Sequence, residues 1–211
     1  MLHLETINNR TLELIQRIHQ DPYFQEFTLV GGTGLALQIG HRSSVDIDLF
    51  STHSFSVEDY LAYLELNYDF KLQYAQKDTL KGLISGVFLD ILTHPYPLVR
   101  EVIIKEGIRL ASMQDIAAFK LNAISLDGTR IKDFVDLYFL LKHFTIQEML
   151  EFYMLKYSQR NVFHVVKSLT YFDQVDTSAW PVMLLERDLD LGRIISAIRI
   201  AVQRYIQESS S

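Results

Sequence analysis

The sequence contains no cysteine, no long hydrophobic run and no excess of positive charge over its 211 residues. Without cysteine, neither a disulfide framework nor a zinc site built on thiolates can form. The longest apolar runs, such as residues 134–141 with Asp136 inside them, are too short to span a bilayer. The amino terminus also lacks the basic region and long apolar core of a signal peptide. We therefore expect a soluble, cytoplasmic protein that is not inserted in a membrane.

The charge balance limits the class of partner. The formal net charge is −6; residues 1–110 carry nine Lys/Arg against fourteen Asp/Glu, whereas residues 111–211 carry eleven against twelve. Nonspecific binding to DNA depends on the neutralisation of many phosphates, so this acidity argues against bulk DNA binding. It leaves open the approach of one RNA end to a local basic groove.

The most informative segment is residues 28–50. It predicts a short strand, a turn at Gly31 and Gly32, a helix over residues 33–39 and a second strand over residues 45–50. Glycines remove side chains where a backbone must approach a ligand, and the amide groups here, with those of the helix start at Thr33, could accept a triphosphate. An ordinary strand-to-helix turn is the alternative interpretation.

Two carboxylates stand on the second predicted strand. Side chains alternate across a strand, so Asp46 and Asp48 should point the same way, roughly 6–7 Å apart, with Val45, Ile47 and Leu49 facing the core. Neighbouring carboxylates repel each other unless a cation lies between them, and hard oxygen ligands suit Mg²⁺ or Mn²⁺. The alternative is that both carboxylates lie on the exposed face of an edge strand.

The order of these features is more specific than either feature alone. An apolar residue, a glycine pair, thirteen residues and then Asp-x-Asp resembles the nucleotidyltransferase superfamily with the DNA polymerase beta fold. Within it, residues 31–37 and 41–50 look specifically like the AbiEii/AbiGii toxin family. The resemblance implies an α+β fold, with a mixed sheet and flanking helices followed by a C-terminal helical bundle. We expect a nucleotidyltransferase-type domain over residues 1–111 and a helical domain over residues 112–211.

A third carboxylate interrupts a later apolar run. Turn residues separate three segments, 70–74, 80–85 and 87–92, which predicts three antiparallel strands that continue the sheet. Asp90 is the lone charge in the last of them, where an unpaired charge is costly. If that strand lies beside residues 45–50, Asp90 completes a cluster with the two earlier carboxylates. The resemblance supports this placement over a strand-end aspartate turned to solvent.

A lysine projects from an apolar stripe on the helix that Ser112 is expected to cap. Ile116, Lys120 and Ile124 share one helix face at four-residue spacing. Such a lysine snorkels to solvent, pairs with a buried carboxylate or contacts an anionic ligand. The resemblance favours a phosphate contact, since residues 115–124 look like the lysine motif of the family.

The next helix, residues 129–141, carries two aspartates. Asp136 is the sole charged residue between positions 134 and 141, so it needs a partner, for which Lys120, Arg130 and Lys132 are candidates. Asp133 could simply complement the helix dipole. The segment resembles the Lys-Asp-Phe-x-Asp-x-Tyr-Phe-Leu motif of the family, which implies a role in holding the lysine or the nucleotide.

Together these residues predict a magnesium- or manganese-dependent nucleotidyltransferase. The catalytic candidates are Asp46, Asp48, Asp90 and Lys120, of which the three aspartates would bind metal. The nucleotide-binding candidates are Gly31, Gly32, Thr33, Arg42, Ser43, Lys120, Asp133 and Asp136, although Arg42 and Ser43 could equally form a solvated turn. The resemblance further implies a toxin with a separate antitoxin protein and an RNA acceptor such as tRNA. A nucleotide-binding module without turnover and a metal-dependent phosphohydrolase are the alternatives.

Overall fold

The computed structural model describes residues 1–209 and divides into two compact units. The first unit comprises Met1–Pro97 and Glu101–Ala111, and the second comprises Leu98–Arg100 and the residues from Ser112 onward. Within residues 1–209, no helix combines the length and the apolar character needed to cross a membrane.

A mixed sheet of seven strands forms the first unit. Its strands are β1 (Thr28–Leu29), β2 (Ile47–Ser51), β3 (Lys71–Gln76), β4 (Thr79–Ile84), β5 (Val87–Thr93), β6 (Ile103–Lys105) and β7 (Ile108–Leu110), in the order β3-β4-β5-β2-β1-β7-β6. The pairs β2–β5 and β1–β7 are parallel, and the others are antiparallel. The three strands predicted over residues 70–92 correspond to β3, β4 and β5, which are antiparallel neighbours as the sequence predicts.

The strand β2 lies inside the sheet between β1 and β5, and its two faces differ. Ile47 and Leu49 are buried and pair with the equally buried Leu89 and Ile91 of β5. The predicted start of this strand is wrong, because β2 begins at Ile47 and Val45 is 51 % exposed. The polar turn before the strand extends further than the apolar spacing suggests.

The described part of the chain also contains eight α-helices. The first unit contains α1 (Asn9–Gln20), α2 (Gly31–Ile39) and α3 (Val57–Tyr68); the second contains α4 (Met113–Leu126), α5 (Ile131–Leu140), α6 (Ile146–Tyr157), α7 (Phe163–Ser168) and α8 (Leu191–Ser209). Side chains cap several helix starts. Ser56 accepts from the amide of Asp59, and Thr145 with Glu148 forms a complete capping box.

The helices of the second unit pack around a core of their own. Fully buried side chains of α4, α5, α6 and α8 contribute to this core, among them Ile116, Leu121, Phe134, Leu137, Met149, Ile194 and Ile198. A mixed sheet with flanking helices in one unit and a helical second unit make this an α+β protein, which confirms the fold class expected from the sequence.

Candidate functional site

The glycine turn at the start of α2, formed by Gly31 and Gly32, lies directly against Asp48. Gly31 has a φ of +66°, in the left-handed region that side chains disfavour, and a Cβ added there would overlap Oδ2 of Asp48. The amide of Val30 also donates to the backbone oxygen of Asp48 at 2.9 Å. Glycine is therefore required at position 31, since it allows the backbone of the turn to approach this carboxylate. The helix begins at Gly31 rather than at the predicted Thr33.

The second glycine makes room for an arginine. A Cβ added at Gly32 would overlap Nη2 of Arg42, whose side chain is buried and whose Nη1 donates to the backbone oxygen of Ser43 at 2.9 Å. Arg42 therefore lies against the glycine turn. The alternative of a solvated turn would require this side chain to project into solvent, and it is buried instead. The positive charge it adds to this turn is suited to an anionic ligand.

Thr33 ties the polar segment before β2 to helix α2. Its side chain is buried, and Oγ1 donates to the backbone oxygen of Asp46 at 2.5 Å and lies 2.8 Å from Oγ of Ser44. The hydroxyl of Thr33 therefore positions the backbone at Asp46, while its amide belongs to the first turn of the helix. The sequence predicts only a phosphate contact for this residue.

Three charged side chains form a row across β2, β5 and β4. The strand register places Asp48 opposite Asp90 in the parallel pair and Lys81 opposite Asp90 in the antiparallel pair. Residues at paired positions present their side chains on the same face of a sheet. Nζ of Lys81 lies 2.5 Å from Oδ2 of Asp90, and the two side chains are 40 % and 28 % exposed. The strand predicted to carry Asp90 thus lies beside the strand of Asp48, and Lys81 is a third member that the sequence interpretation missed.

The three predicted metal ligands are not gathered into one group. Asp46 precedes β2 and is half-buried, so the alternation expected within one strand does not apply to it. Within the described chain, no three acidic or histidine side chains lie close enough together to hold a metal ion. Mg²⁺ is, however, commonly held by only one or two carboxylates together with substrate phosphates. The half-exposed Asp48 and Asp90 beside the turn at Gly31 fit that mode of binding.

Lys120 lies between the two aspartates of α5. Its Nζ is 2.6 Å from Oδ1 of Asp133 and 2.6 Å from Oδ2 of Asp136, and the three side chains are 8 %, 3 % and 0 % exposed in that order. Arg130 adds a longer contact, with Nε 3.6 Å from Oδ2 of Asp133. Lys120 therefore does not snorkel, and of the partners considered for Asp136 the structure selects Lys120. The buried ammonium of Lys120 thus lies between two buried carboxylates, and the more exposed Arg130 borders one of them.

A second buried lysine pair was not anticipated. Nζ of Lys156 on α6 lies 2.9 Å from Oδ1 of Asp115 on α4, and both side chains are almost completely buried. Asp115 also accepts from the amides of Val99 and Arg100 and from Oγ of Ser112. The spacing of Ser112 and Asp115 in the sequence indicates only a helix cap. A lone lysine in the apolar end of α6 is the signal that would have suggested the pair, as it did for Lys120.

Comparisons with known proteins agree with this arrangement. Residues 13–79 match the family model described as nucleotidyl transferase AbiEii toxin, Type IV TA system. An uncharacterized protein of Aquifex aeolicus (strain VF5) is 34 % identical over 170 residues, which cover 76 % of this chain and 81 % of that protein. The chain belongs to the AbiEii nucleotidyltransferase family. The resemblance inferred from the glycine turn and the Asp-x-Asp pair is thereby confirmed.

Solved structures similar to this AbiEii-family chain share its fold. A Helicobacter pylori protein solved as a candidate nucleotidyltransferase is 19 % identical and has a TM-score of 0.54, with 95 % of this chain and 96 % of that chain covered. The protein JHP933 from Helicobacter pylori is 20 % identical with a TM-score of 0.55, with 97 % and 96 % covered. These likenesses extend over both units.

The AbiEii family match covers only part of the candidate site. Residues 13–79 include the glycine turn, Asp46 and Asp48, whereas Asp90, Lys120 and the two aspartates of α5 lie beyond them. For Asp90 the additional support is its register opposite Asp48. For Lys120 it is the pair of carboxylates that fixes its ammonium group.

Proposed function

We propose that this chain is a metal-dependent nucleotidyltransferase that transfers a nucleoside monophosphate from a nucleoside triphosphate to an acceptor hydroxyl. The observation that carries the proposal is the turn at Gly31, where a conformation that only glycine adopts easily brings the backbone against Asp48 inside the family-matched segment. The start of α2 supplies amide groups to the same turn, and such groups attract phosphate.

Each candidate residue has a role in this proposal. Asp46, Asp48 and Asp90 would hold Mg²⁺ or Mn²⁺ once the triphosphate contributes its own oxygen ligands. A bound divalent cation supplies charge neutralisation on the phosphates and lowers the pKa of a coordinated hydroxyl. The amides of Gly31, Gly32 and Thr33, with Arg42 and Ser43, would bind the triphosphate.

The reaction itself is an in-line displacement at the α-phosphorus. A bond forms from the acceptor oxygen to the α-phosphorus, the bond to the β-phosphate bridging oxygen breaks, and pyrophosphate leaves with that electron pair. The acceptor proton passes to Asp90 or to solvent. Lys120, held in place by Asp133 and Asp136, would neutralise phosphate charge with its ammonium group.

The acceptor and the biological setting belong to the same proposal. An RNA end, such as that of tRNA, is the acceptor we favour from family membership. The net negative charge argues only against extensive phosphate binding. A toxin role, a separate antitoxin protein and a cytoplasmic location are proposed from family membership. Total RNA and total protein are therefore both needed as acceptors in the first assay.

The experiment incubates the protein with each labelled nucleoside triphosphate, Mg²⁺ and total RNA or protein, beside an Asp46→Asn, Asp48→Asn variant. We expect labelling by the unchanged protein to fall by at least about a hundredfold in the variant, the scale of losing one charge-stabilising group. Glu65→Gln, which alters an exposed carboxylate on α3, is the matched control and should label normally. Equal labelling by the double variant would contradict the site assignment.

The products separate the alternatives. Nucleotide that binds with Mg²⁺ but is never transferred would identify a binding module without turnover. Release of inorganic phosphate instead of pyrophosphate would identify a phosphohydrolase that uses water as acceptor.

A further inference from the structure

The carboxylate of Asp90 has a positively charged neighbour on one side and a negatively charged neighbour on the other. Strand β5 lies between β4 and β2, so Asp90 is flanked by Lys81 on one strand and by Asp48 on the other. The contact of 2.5 Å places the Lys81 ammonium on Oδ2 of Asp90. A positive charge from the chain itself therefore binds one of the carboxylates that the proposed function assigns to the metal.

The Lys81–Asp90 pair has the properties of an exchangeable contact. Both side chains are partly exposed, and the lysine ammonium is a compact charge on a flexible four-carbon stem. By contrast, the ammonium groups of Lys120 and Lys156 are buried and fixed by carboxylates. Lys81 can leave Asp90 without exposing a buried charge, which the other two lysines cannot do.

We infer that Lys81 is a positioning residue that competes with the divalent cation for the Asp90 carboxylate and so weakens metal binding until the nucleotide is present. This inference rests on the proposed function. Lys81 offsets one of the negative charges of Asp46, Asp48 and Asp90, and without a nucleotide the remaining attraction for a cation is reduced. The triphosphate adds oxygen ligands and negative charge, which tips the competition toward the cation.

The test measures binding of Mn²⁺ alone by isothermal titration calorimetry, without nucleotide or turnover. We expect Lys81→Met to bind Mn²⁺ at least about tenfold more tightly than the unchanged protein, because an adjacent charge commonly shifts such equilibria by one or more decades. Lys77→Met is the matched control, since it removes an exposed lysine from the turn that joins β3 to β4 and changes the net charge equally. Its Mn²⁺ affinity should stay within about twofold of the unchanged protein, as expected for a solvent-screened charge.

A double variant identifies the carboxylate involved. In Lys81→Met, Asp90→Asn the gain in Mn²⁺ affinity should disappear, and unfolding in urea establishes that each variant is folded. An unchanged or weaker affinity in Lys81→Met, a gain that persists in the double variant, or no Mn²⁺ binding by any variant would overturn the inference.

Failure of this inference and failure of the proposed function are distinguishable. If the protein transfers nucleotides but Lys81→Met leaves its Mn²⁺ affinity unchanged, the proposed function stands and the inference about Lys81 is wrong. If the protein transfers no nucleotide but Lys81→Met gains Mn²⁺ affinity through Asp90, the proposed function is wrong and the competition for this carboxylate stands.

Discussion

The two units of the chain use the same pair of residue types in opposite ways. In the first unit, Lys81 and Asp90 meet on the sheet with 40 % and 28 % of their side chains exposed. In the second, Lys156 and Asp115 are 1 % and 0 % exposed, and Asp115 accepts three further hydrogen bonds. The difference lies in the access of water and in the number of donors around the carboxylate, and neither can be read from residue type.

This difference separates a carboxylate suited to chemistry from one suited to structure. Burying an ion pair is expensive, so the buried carboxylate of Asp115 is held by several hydrogen bonds, which leave it little capacity for another ligand. A partly exposed pair contributes little to stability and exchanges its partner easily. Asp115 therefore anchors the segment Leu98–Arg100 to α4, whereas Asp90 remains available to a ligand.

The largest effect on folding is expected for Asp115→Ala. The change leaves the buried Lys156 ammonium without its carboxylate and removes the acceptor for the amides of Val99 and Arg100. The free energy of unfolding in urea should fall by about 3–5 kcal/mol, as for other buried pairs that lose one partner. The combined variant Asp115→Leu, Lys156→Met should recover part of this loss. A loss below about 1 kcal/mol would show that the comparison between the two units is wrong.

A somewhat smaller loss is expected for Lys120→Met. Without the ammonium, Asp133 and Asp136 are two buried carboxylates next to each other, and stability at pH 7 should fall by about 3 kcal/mol. Unfolding in urea at pH 7 measures this loss.

Lys132→Met is the matched control for the Lys120 variant. Lys132 is half-buried on α5, and no ion pair of its side chain is present among residues 1–209. Its removal should cost less than about 1 kcal/mol. If Lys120→Met is equally mild but abolishes nucleotide transfer, then Lys120 serves the ligand alone and the buried cluster is not a structural one.

The local features of the fold could be predicted from the sequence because their causes are local. The glycine pair, the helix caps and the apolar run of β5 each depend on neighbouring residues, whereas the α+β class was implied by the family resemblance. A lone charge in an apolar strand indicates only a polar setting, and the family resemblance is what favoured the placement of Asp90 beside Asp48.

The residues that the sequence interpretation missed depend on contacts distant in the chain. Lys156 and Asp115 are 41 residues apart, so the helix pattern of each shows only that one charged residue lies in an apolar setting. Lys81 is nine residues from Asp90, and the pairing follows from the register of β4 on β5, which spacing alone does not fix. The start of β2 was misplaced because Val45 continues the apolar alternation although the structure leaves it exposed.

Burial, and not the unit in which a residue lies, should decide how much a charged or titratable group contributes to the free energy of unfolding. His19, which is buried in the first unit, tests this expectation. Neither ring nitrogen of His19 has a hydrogen-bond partner in the described part of the chain. Burial, and to a lesser degree the charge of Arg109, lowers the pKa of His19 from 6.5 to about 3. The unfolded chain therefore binds a proton at His19 below pH 6.5, whereas the folded protein binds it only when the pH falls to about 3.

Stability from this source is complete above pH 6.5 and is lost as the pH falls toward 3. At pH 5 the loss should be about 2 kcal/mol relative to pH 7. The measurement is unfolding in urea at both pH values for the unchanged protein, for His19→Gln and for the exposed control His53→Gln. Of the two variants, only His19→Gln should reduce the difference in the free energy of unfolding between pH 5 and pH 7. A dependence that survives in this variant would assign it to other groups.

The smallest effect on folding is expected at the residue we place nearest the chemistry. Asp90→Asn keeps the shape of the side chain and removes the charge that faces Lys81, and a partly exposed pair contributes about 0–1 kcal/mol. Unfolding in urea should therefore be nearly unchanged, while Mn²⁺ binding and nucleotide transfer decrease. A loss of stability as large as that of Asp115→Ala would make Asp90 a structural carboxylate. Stability that persists while ligand binding falls is the behaviour that separates an exchangeable carboxylate from a buried anchor.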